Sequence, residues 1–280
     1  MKARRWIIRL LACVLMFGMI MQSPGASAQA EKSYRAAADT DIFTQMIEFL
    51  FGSQGKEEEK MMYSKEMINA LRELGIEVPD EKVKEFEENA AEWNKEFEKM
   101  GMSSLELDAT SLLMSLGIGD FDYDTGVWTP SSSDVYAFDA EIYEIEKMYT
   151  LFLQGVASIV PGFEPVDVEE KITMFEETPE LQEKRAQAEQ EGKMLGEGIT
   201  AVSFSINGHT YQRELGFFGD WFNDDAIAWI NEVLEQEGFD GRLRCYDDGT
   251  QLIFLLYGDE NFAQKLQAII GRPECSFRDQ

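Results

Sequence analysis

The sequence predicts an α+β protein with a helical N-terminal part and a small antiparallel sheet toward its C-terminal end. Two patterns support this prediction. Apolar residues recur three and four positions apart between residues 41 and 160, whereas from Ile199 onward they alternate with polar residues. We expect an N-terminal array of four to five helices. A ββαββα unit should follow, with its four strands in one antiparallel sheet and both helices on one face.

Residues 1–30 have the features of a secretory signal peptide. A basic start precedes an apolar run over residues 10–21, and a Pro-Gly break and several small residues follow. As a helix this run would reach only about 18 Å, well short of the roughly 30 Å hydrocarbon layer. We expect cleavage after Ala28 or Ala30, no transmembrane segment afterwards, and a secreted or cell-surface-associated protein. Cys13 lies inside the apolar run instead of after it, which argues against lipidation.

A flexible tether is predicted at residues 31–40 and a helical domain at residues 41–162. Asp41, Ser64 and Ser103 each precede an apolar run and are expected N-caps of helices. Glycines that follow these runs should end them.

Two further helices of this domain carry regular apolar stripes. The spacing of three and four keeps each stripe on one face, so we expect the two helices to pack against each other. An intermolecular coiled coil is the alternative, although fewer than four heptads are present. The stripes are Val83, Phe86, Ala90, Trp93, Phe97 and Met100 in one helix, and Ile142, Ile145, Tyr149, Phe152, Val156 and Ile159 in the other.

Residues 163–199 form a charged transition segment before the predicted α+β domain at residues 200–280. This segment should supply one strand over residues 164–173, and then an exposed helix or a mobile insertion over residues 176–192. Two hairpins, each followed by a helix, are predicted in the α+β domain. Their markers are the turns Asn207-Gly208 and Asp248-Gly249, an apolar stripe over residues 223–237 and the cap Asp259.

The charge balance excludes one large class of partners. The chain has 53 acidic and 25 basic residues and a formal net charge of −28, and residues 1–30 contain no acidic residue. Nucleic-acid binding through a basic surface needs the opposite sign. The acidic surface fits either a solubilising coat outside the cell or a surface for Lys- and Arg-rich partners.

The single histidine limits the possible chemistry. A zinc site built on two or three histidines is excluded, and a thiol hydrolase would have to pair His209 with Cys245 or Cys275. Cys245 is expected on the face of its hairpin that helices cover, as a buried small hydrophobe. A disulfide between Cys245 and Cys275 would enclose residues 246–274, and the sequence leaves it open.

An aromatic cluster is the first candidate binding site. It lies between the first predicted hairpin and its helix, where exposed rings could anchor a partner or buried rings could close the end of the sheet. Its members are Phe217, Phe218, Trp221 and Phe222.

An acidic aromatic loop is the second candidate, with Tyr123 and Trp128 as a possible platform for a sugar or peptide. Its alternating carboxylates resemble the start of a calcium loop and are the expected metal ligands if calcium binds. The glycine comes one position late, however, and Ser131 stands where a bidentate Glu is needed. The carboxylates are those of Asp120, Asp122 and Asp124.

Together these observations predict a secreted, strongly acidic, non-enzymatic binding protein for a protein, peptide or carbohydrate outside the cell. No cofactor is expected apart from the possible calcium. A secreted hydrolase that uses carboxylates is the alternative, and its thiol version with Cys245 and His209 is less favoured. A structural envelope protein without a ligand is a third possibility.

Overall fold

The described part of the chain forms two compact units. The computed structural model describes residues 63–101, 107–122, 127–141, 145–190, 195–247 and 251–275. Of these, the residues within 80–107 belong to one unit, and those within 58–79 and 108–280 belong to the other. The predicted signal peptide, the tether and the helix expected to begin at Asp41 lie outside the described residues.

Seven α-helices occur among the described residues, and local chemistry sets where two of them begin. The Ser64 side chain accepts the Met67 N–H at 3.2 Å, as its predicted cap role requires. The helix expected to begin at Ser103 begins instead after Asp108, which forms a reciprocal capping box with Ser111. The helices are α1 (Lys65–Glu73), α2 (Asp80–Lys99), α3 (Ala109–Gly117), α4 (Met148–Ile159), α5 (Pro179–Gln190), α6 (Asp225–Gln236) and α7 (Glu260–Ile270).

Eight strands form one ribbon and two three-stranded sheets, and every strand pair is antiparallel. The first sheet has the order β4-β5-β6, the second sheet has the order β3-β8-β7, and β1 pairs with β2 alone. The strands are β1 (Asp120–Asp122), β2 (Val127–Thr129), β3 (Val135–Asp139), β4 (Val166–Met174), β5 (Gly198–Ile206), β6 (His209–Phe217), β7 (Arg242–Asp247) and β8 (Leu252–Gly258).

The second sheet is covered by helices on both faces. Helices α3 and α7 contact β8, whereas α4 contacts β3 and α6 contacts β7. Two consecutive residues of β7 contact different helices, because successive side chains of a strand point to opposite faces of the sheet. Cys245 belongs to the main core cluster together with residues of α4 and α6. Arg244 instead reaches Glu260 at the start of α7, at 3.2 Å.

Helices α4 and α6 lie between the two sheets and form the main core with them. The core cluster joins Phe152 of α4, Ile230 of α6, Phe204 of the first sheet and Leu255 of the second. Each side chain of this size stabilises the fold by about 1.5–3 kcal/mol when it is fully buried. The unit with residues 108–280 therefore has alternating layers of helices and sheets.

Gly155 allows α4 to lie close to the second sheet. A Cβ at this position would be 2.2 Å from the Cζ atom of the buried Tyr136 ring. Even one added methyl group would overlap the ring, so only glycine is compatible with this packing.

The first predicted hairpin is confirmed in its turn and its register. Asn207 and Gly208 both have positive φ, as a two-residue type I′ turn requires, and Ile206 pairs with His209 on either side of them. The strand predicted over residues 164–173 is β4, and the charged segment after it contains α5.

The predicted single four-stranded sheet is wrong. The hairpin β5-β6 pairs with β4, and the hairpin β7-β8 pairs with β3, so the two hairpins belong to different sheets. The two helices after the hairpins also do not share one face. Helix α6 lies between the sheets, whereas α7 packs on the other side of the second sheet with α1 and α3. The α+β class and the ββαββα order of elements are confirmed.

The N-terminal helical array is also not matched in the described residues. The segment contains β1, β2 and β3 besides its helices, and β3 pairs with β8 from the far end of the chain. The predicted stripe on α4, with Tyr149, Phe152 and Val156, is buried as expected. It packs against strands of both sheets.

Candidate functional site

One end of the first sheet, where β4 and β6 finish and β5 begins, exposes apolar side chains. Met174, Gly198 and Phe217 are direct neighbours across the three strands and therefore share a face. A Cβ on Gly198 would lie 2.4 Å from the carbonyl oxygen of Thr173, so β4 approaches this glycine closely. Gly198 itself is buried, so this close approach of β4 requires a residue without a side chain.

Backbone hydrogen bonds extend this end of the sheet beyond its last regular pairs. The Phe175 N–H donates to the Glu197 carbonyl oxygen at 3.0 Å, and the Glu197 N–H donates to the Phe217 carbonyl oxygen at 2.7 Å. Phe175 thereby lies beside Glu197, and Glu197 lies beside the end of β6.

The loop after β6 buries one aromatic side chain and exposes another. Phe222 is buried against the rings of Phe138 and Phe152, with centroid distances of 5.0 and 4.9 Å. Its N–H also donates to the Ala140 carbonyl oxygen at 2.7 Å. Trp221, one position earlier, forms backbone bridges and keeps 43% of its surface exposed. The buried phenylalanine thus fixes the loop that presents the tryptophan.

We call the side chains at this end of the first sheet the apolar patch. Six large apolar residues of the described chain are exposed, and four of them belong to the patch. Single exposed apolar residues are common in soluble proteins, and four of them at one end of one sheet make this end the candidate contact surface. The patch consists of Met174, Phe175, Leu195, Phe217, Phe218 and Trp221.

Four acidic residues neighbour members of the apolar patch. Glu141 is bridged to Trp221 through the backbone, Asp220 precedes it, and the exposed residues Glu176 and Glu197 adjoin or bond to Phe175. The Gln251 side-chain amide donates to Glu141 at 3.3 Å and so fixes one of these carboxylates. The patch therefore combines an apolar centre with a negative rim.

The predicted aromatic cluster is divided by the structure. Phe222 belongs to the core, Phe217 and Phe218 are partly buried, and Trp221 is the one member of the four that is exposed. The sequence analysis missed Met174 and the residues beside it. The sequence feature that could have indicated these residues is the end of the predicted strand over residues 164–173. It does not show which other strands end at the same place.

The second candidate site is described only through its backbone. The ribbon of β1 and β2 contains Asp120, Asp122 and Trp128, and Asp122 pairs with Val127. Tyr123 and Asp124 lie outside the described residues, and so does the side-chain geometry of the ribbon. The calcium and platform predictions for these residues stay predictions. Within the residues whose side chains are described, no group of three or more His, Cys, Asp or Glu could hold a metal ion.

His209 belongs to a polar cluster around Glu237 at the end of α6. The Glu237 carboxylate is bonded by the Tyr211 hydroxyl, by the Asn207 amide at 2.8 Å and by the His209 Nδ1 at 2.8 Å. These hydrogen bonds, that of Tyr211 foremost, lower the pKa of Glu237 to about 2. The same contact raises the pKa of Tyr211 to about 12. The cluster joins the turn of the first hairpin to α6.

The structure gives His209 and Cys245 different partners. His209 bonds to Glu237, whereas Cys245 lies in the core beside Cys275. The nucleophile and base of a thiol hydrolase need direct hydrogen-bond contact. The structure therefore offers no support for the thiol version of the hydrolase.

One carboxyl group has a raised pKa and an unusual environment. Glu170 of β4 accepts the Thr150 N–H and so caps the start of α4 from outside the helix. Its Oε2 atom is buried and has no hydrogen-bond partner among the described residues. Burial raises the pKa of Glu170, and the hydrogen bonds from Thr150 only partly oppose this. Such a group is a candidate proton donor.

Comparisons with known proteins provide no relative from which a function could be inferred. No protein family model, characterised protein or solved structure matches the chain. Among the described residues, none of the helices has the length and apolar character needed to cross a membrane.

Proposed function

We propose that the chain is an exported binding protein that holds a basic and apolar peptide segment of a partner protein on the apolar patch. The observation that carries the proposal is Trp221, an exposed ring fixed by the buried Phe222 beside it. Rigid aromatic side chains of this kind dominate binding energy at protein interfaces. Export is proposed from the features of residues 1–30.

The negative rim supports a partner with basic residues. Lys and Arg side chains would meet the carboxylates around Trp221, and Arg can also stack on the indole face. The formal net charge of −28 would accelerate the approach of such a partner at low salt.

A pair of synthetic peptides tests this proposal on the full chain. The probe is a fluorescent twelve-residue peptide that alternates Leu and Arg, and its charge-reversed match alternates Leu and Glu. We expect the Arg peptide to bind and the Glu peptide not to bind in an anisotropy titration. Rising salt should weaken the binding, because screening weakens attraction between exposed charges.

Trp221→Ala should weaken binding of the Arg peptide by about tenfold or more, the range for an aromatic anchor. Val166→Ala is the matched control, because Val166 is 55% exposed at the other end of β4. Its affinity should stay within about twofold of the unchanged chain. Equal affinities of both variants, or equal binding of the Glu peptide, would refute the proposal. Binding of a neutral oligosaccharide instead of the peptide would also refute it.

A carboxylate-dependent hydrolase is the second candidate, because Glu170 combines a raised pKa with a buried, unpartnered oxygen. A proton donor of this kind suits glycoside or ester hydrolysis. The test is a screen of chromogenic glycosides and esters with the unchanged chain and with Glu170→Gln. Turnover that the substitution abolishes without loss of folding would support this candidate, and absence of turnover on all of them would refute it.

A further inference from the structure

We propose that Cys245 and Cys275 form a disulfide that fixes the C-terminal segment to the outer edge of β7. This inference rests on the proposed export, because disulfides form and persist in oxidising compartments outside the cytosol. It does not depend on the apolar patch or on any partner bound there.

A backbone hydrogen bond holds the two cysteines next to each other. The Cys275 N–H donates to the Cys245 carbonyl oxygen at 2.9 Å. This bond places Cys275 directly beside Cys245, and disulfides span Cα separations of about 4.4–6.8 Å. Cys275 also packs against the core cluster that contains Cys245. The sulfur atoms can therefore join without a large movement of the chain.

Neighbouring contacts hold the segment in this position. The Arg272 guanidinium donates to the Asp247 carbonyl oxygen at 3.4 Å, and Arg244 donates to the Glu274 carboxylate at 3.3 Å. The Cys275 thiol donates to the Asp247 carboxylate at 3.3 Å. Contacts before and beside Cys275 thus align it with β7.

The outer edge of β7 is closed by three different groups in sequence. The Asn231 side chain exchanges two hydrogen bonds with the backbone of Leu243, at 2.7 and 3.1 Å. The Cys275 N–H bonds to Cys245, and Arg272 bonds to Asp247. An unprotected strand edge can pair with other chains. A covalent link at Cys245 would make this protection permanent.

The difference in burial between the two thiols sets the order of the reaction. Cys245 is 2% exposed, whereas Cys275 is only partly buried and is the thiol that an oxidant can reach. The thiolate of Cys275 attacks the disulfide of a small-molecule or protein oxidant and releases one oxidant thiol. The Cys245 thiolate then attacks the Cys275 sulfur and releases the second oxidant thiol. The two protein thiols lose two electrons and two protons, and the oxidant disulfide is reduced to two thiols.

The test is oxidation of the reduced full chain with oxidised glutathione, followed by alkylation and peptide mass spectrometry. We use Cys13→Ser as the background, so that only the two cysteines of interest can react. The expected product is one peptide pair linked through Cys245 and Cys275, with a mass loss of about two hydrogen atoms. The thermal unfolding midpoint should rise by roughly 5–15 °C on oxidation, as expected when a loop of this length is closed.

Two single variants serve as controls, Cys245→Ser and Cys275→Ser on the same background. Neither should show the oxidation-dependent rise of the midpoint, and Cys275→Ser should resist glutathionylation because its remaining thiol is buried. Stable mixed disulfides without a link between the pair would overturn the inference, as would an unchanged midpoint after linkage. Recovery of the unlinked pair from exported protein would overturn it for the native chain. Because this test does not involve the Arg peptide, its failure is distinguishable from a failure of the binding proposal.

Discussion

Replacement of Phe222 should lower the unfolding free energy more than replacement of any exposed residue of the same loop. Phe222 is 8% exposed and contacts the rings of Phe138, Tyr149 and Phe152 at centroid distances of 4.9–5.6 Å. Truncation of a buried Phe to Ala costs about 3–5 kcal/mol of unfolding free energy, because transfer energy is lost and a cavity remains. Three aromatic neighbours place Phe222→Ala in the upper part of that range.

Urea unfolding followed by tryptophan fluorescence measures this effect directly. Phe222→Ala should lower the thermal midpoint by roughly 8–20 °C as well, on the scale of about 2–4 °C per kcal/mol for a chain of this size. Trp221→Ala is the matched control one position away. It should change the unfolding free energy by less than about 1 kcal/mol, since much of its side chain is exposed.

The opposite result would refute the conclusion that Phe222 is buried and Trp221 is exposed. If Phe222→Ala cost less than about 1 kcal/mol while Trp221→Ala cost more than about 3 kcal/mol, the loop would face the other way. Phe222→Leu should recover part of the loss, because Leu refills most of the volume.

Two other predictions concern packing and pH. Gly155→Ala should lower the unfolding free energy by at least about 1–3 kcal/mol despite the better helix propensity of Ala, because its Cβ would overlap the Tyr136 ring. An unchanged urea midpoint would contradict this packing. The pKa of Glu237 is lowered to about 2 from an ordinary value near 4.5, so its stabilising contribution is complete above about pH 5 and is lost as pH falls toward 2. Urea midpoints measured between pH 2 and 7 should therefore depend less on pH in Glu237→Gln than in the unchanged chain, and identical slopes would contradict the cluster around Glu237.

Local signals in the sequence predicted the elements that depend on neighbouring residues. The Asn207-Gly208 turn specifies a hairpin by itself, since both residues tolerate positive φ. Ser64 and Asp259 are helix caps, as their spacing from the next apolar run indicated. The sequence leaves a link between Cys245 and Cys275 open, and the structure places Cys275 beside β7.

Long-range strand pairing could not be predicted in the same way. Val135 pairs with Leu256, and no local signal links two residues so far apart in the chain. One clue was present, because β8 is an almost continuous apolar run, which is typical of a strand buried on both faces. That clue argues against a sheet with helices on only one side.

The sequence predicted the aromatic residues of the candidate site but not the residues contributed by other strands, for a related reason. The aromatic residues after β6 are close in sequence, so they were recognised together, but only tertiary packing decides that Phe222 is buried and Trp221 exposed. Met174 joins the patch because the ends of three strands meet there. The sequence does not show that meeting point.

Radical footprinting with mass spectrometry tests the central claim, that the apolar patch is the binding surface, most directly. The full chain is oxidised briefly with hydroxyl radicals, with and without the alternating Leu-Arg peptide. Met174 and Met100 are a matched pair, with 54% and 51% exposure, and only Met174 belongs to the patch. We predict that the peptide slows oxidation of Met174 and Trp221 several-fold and leaves Met100 unchanged. Equal protection of Met100, or none at Trp221, would contradict the claim.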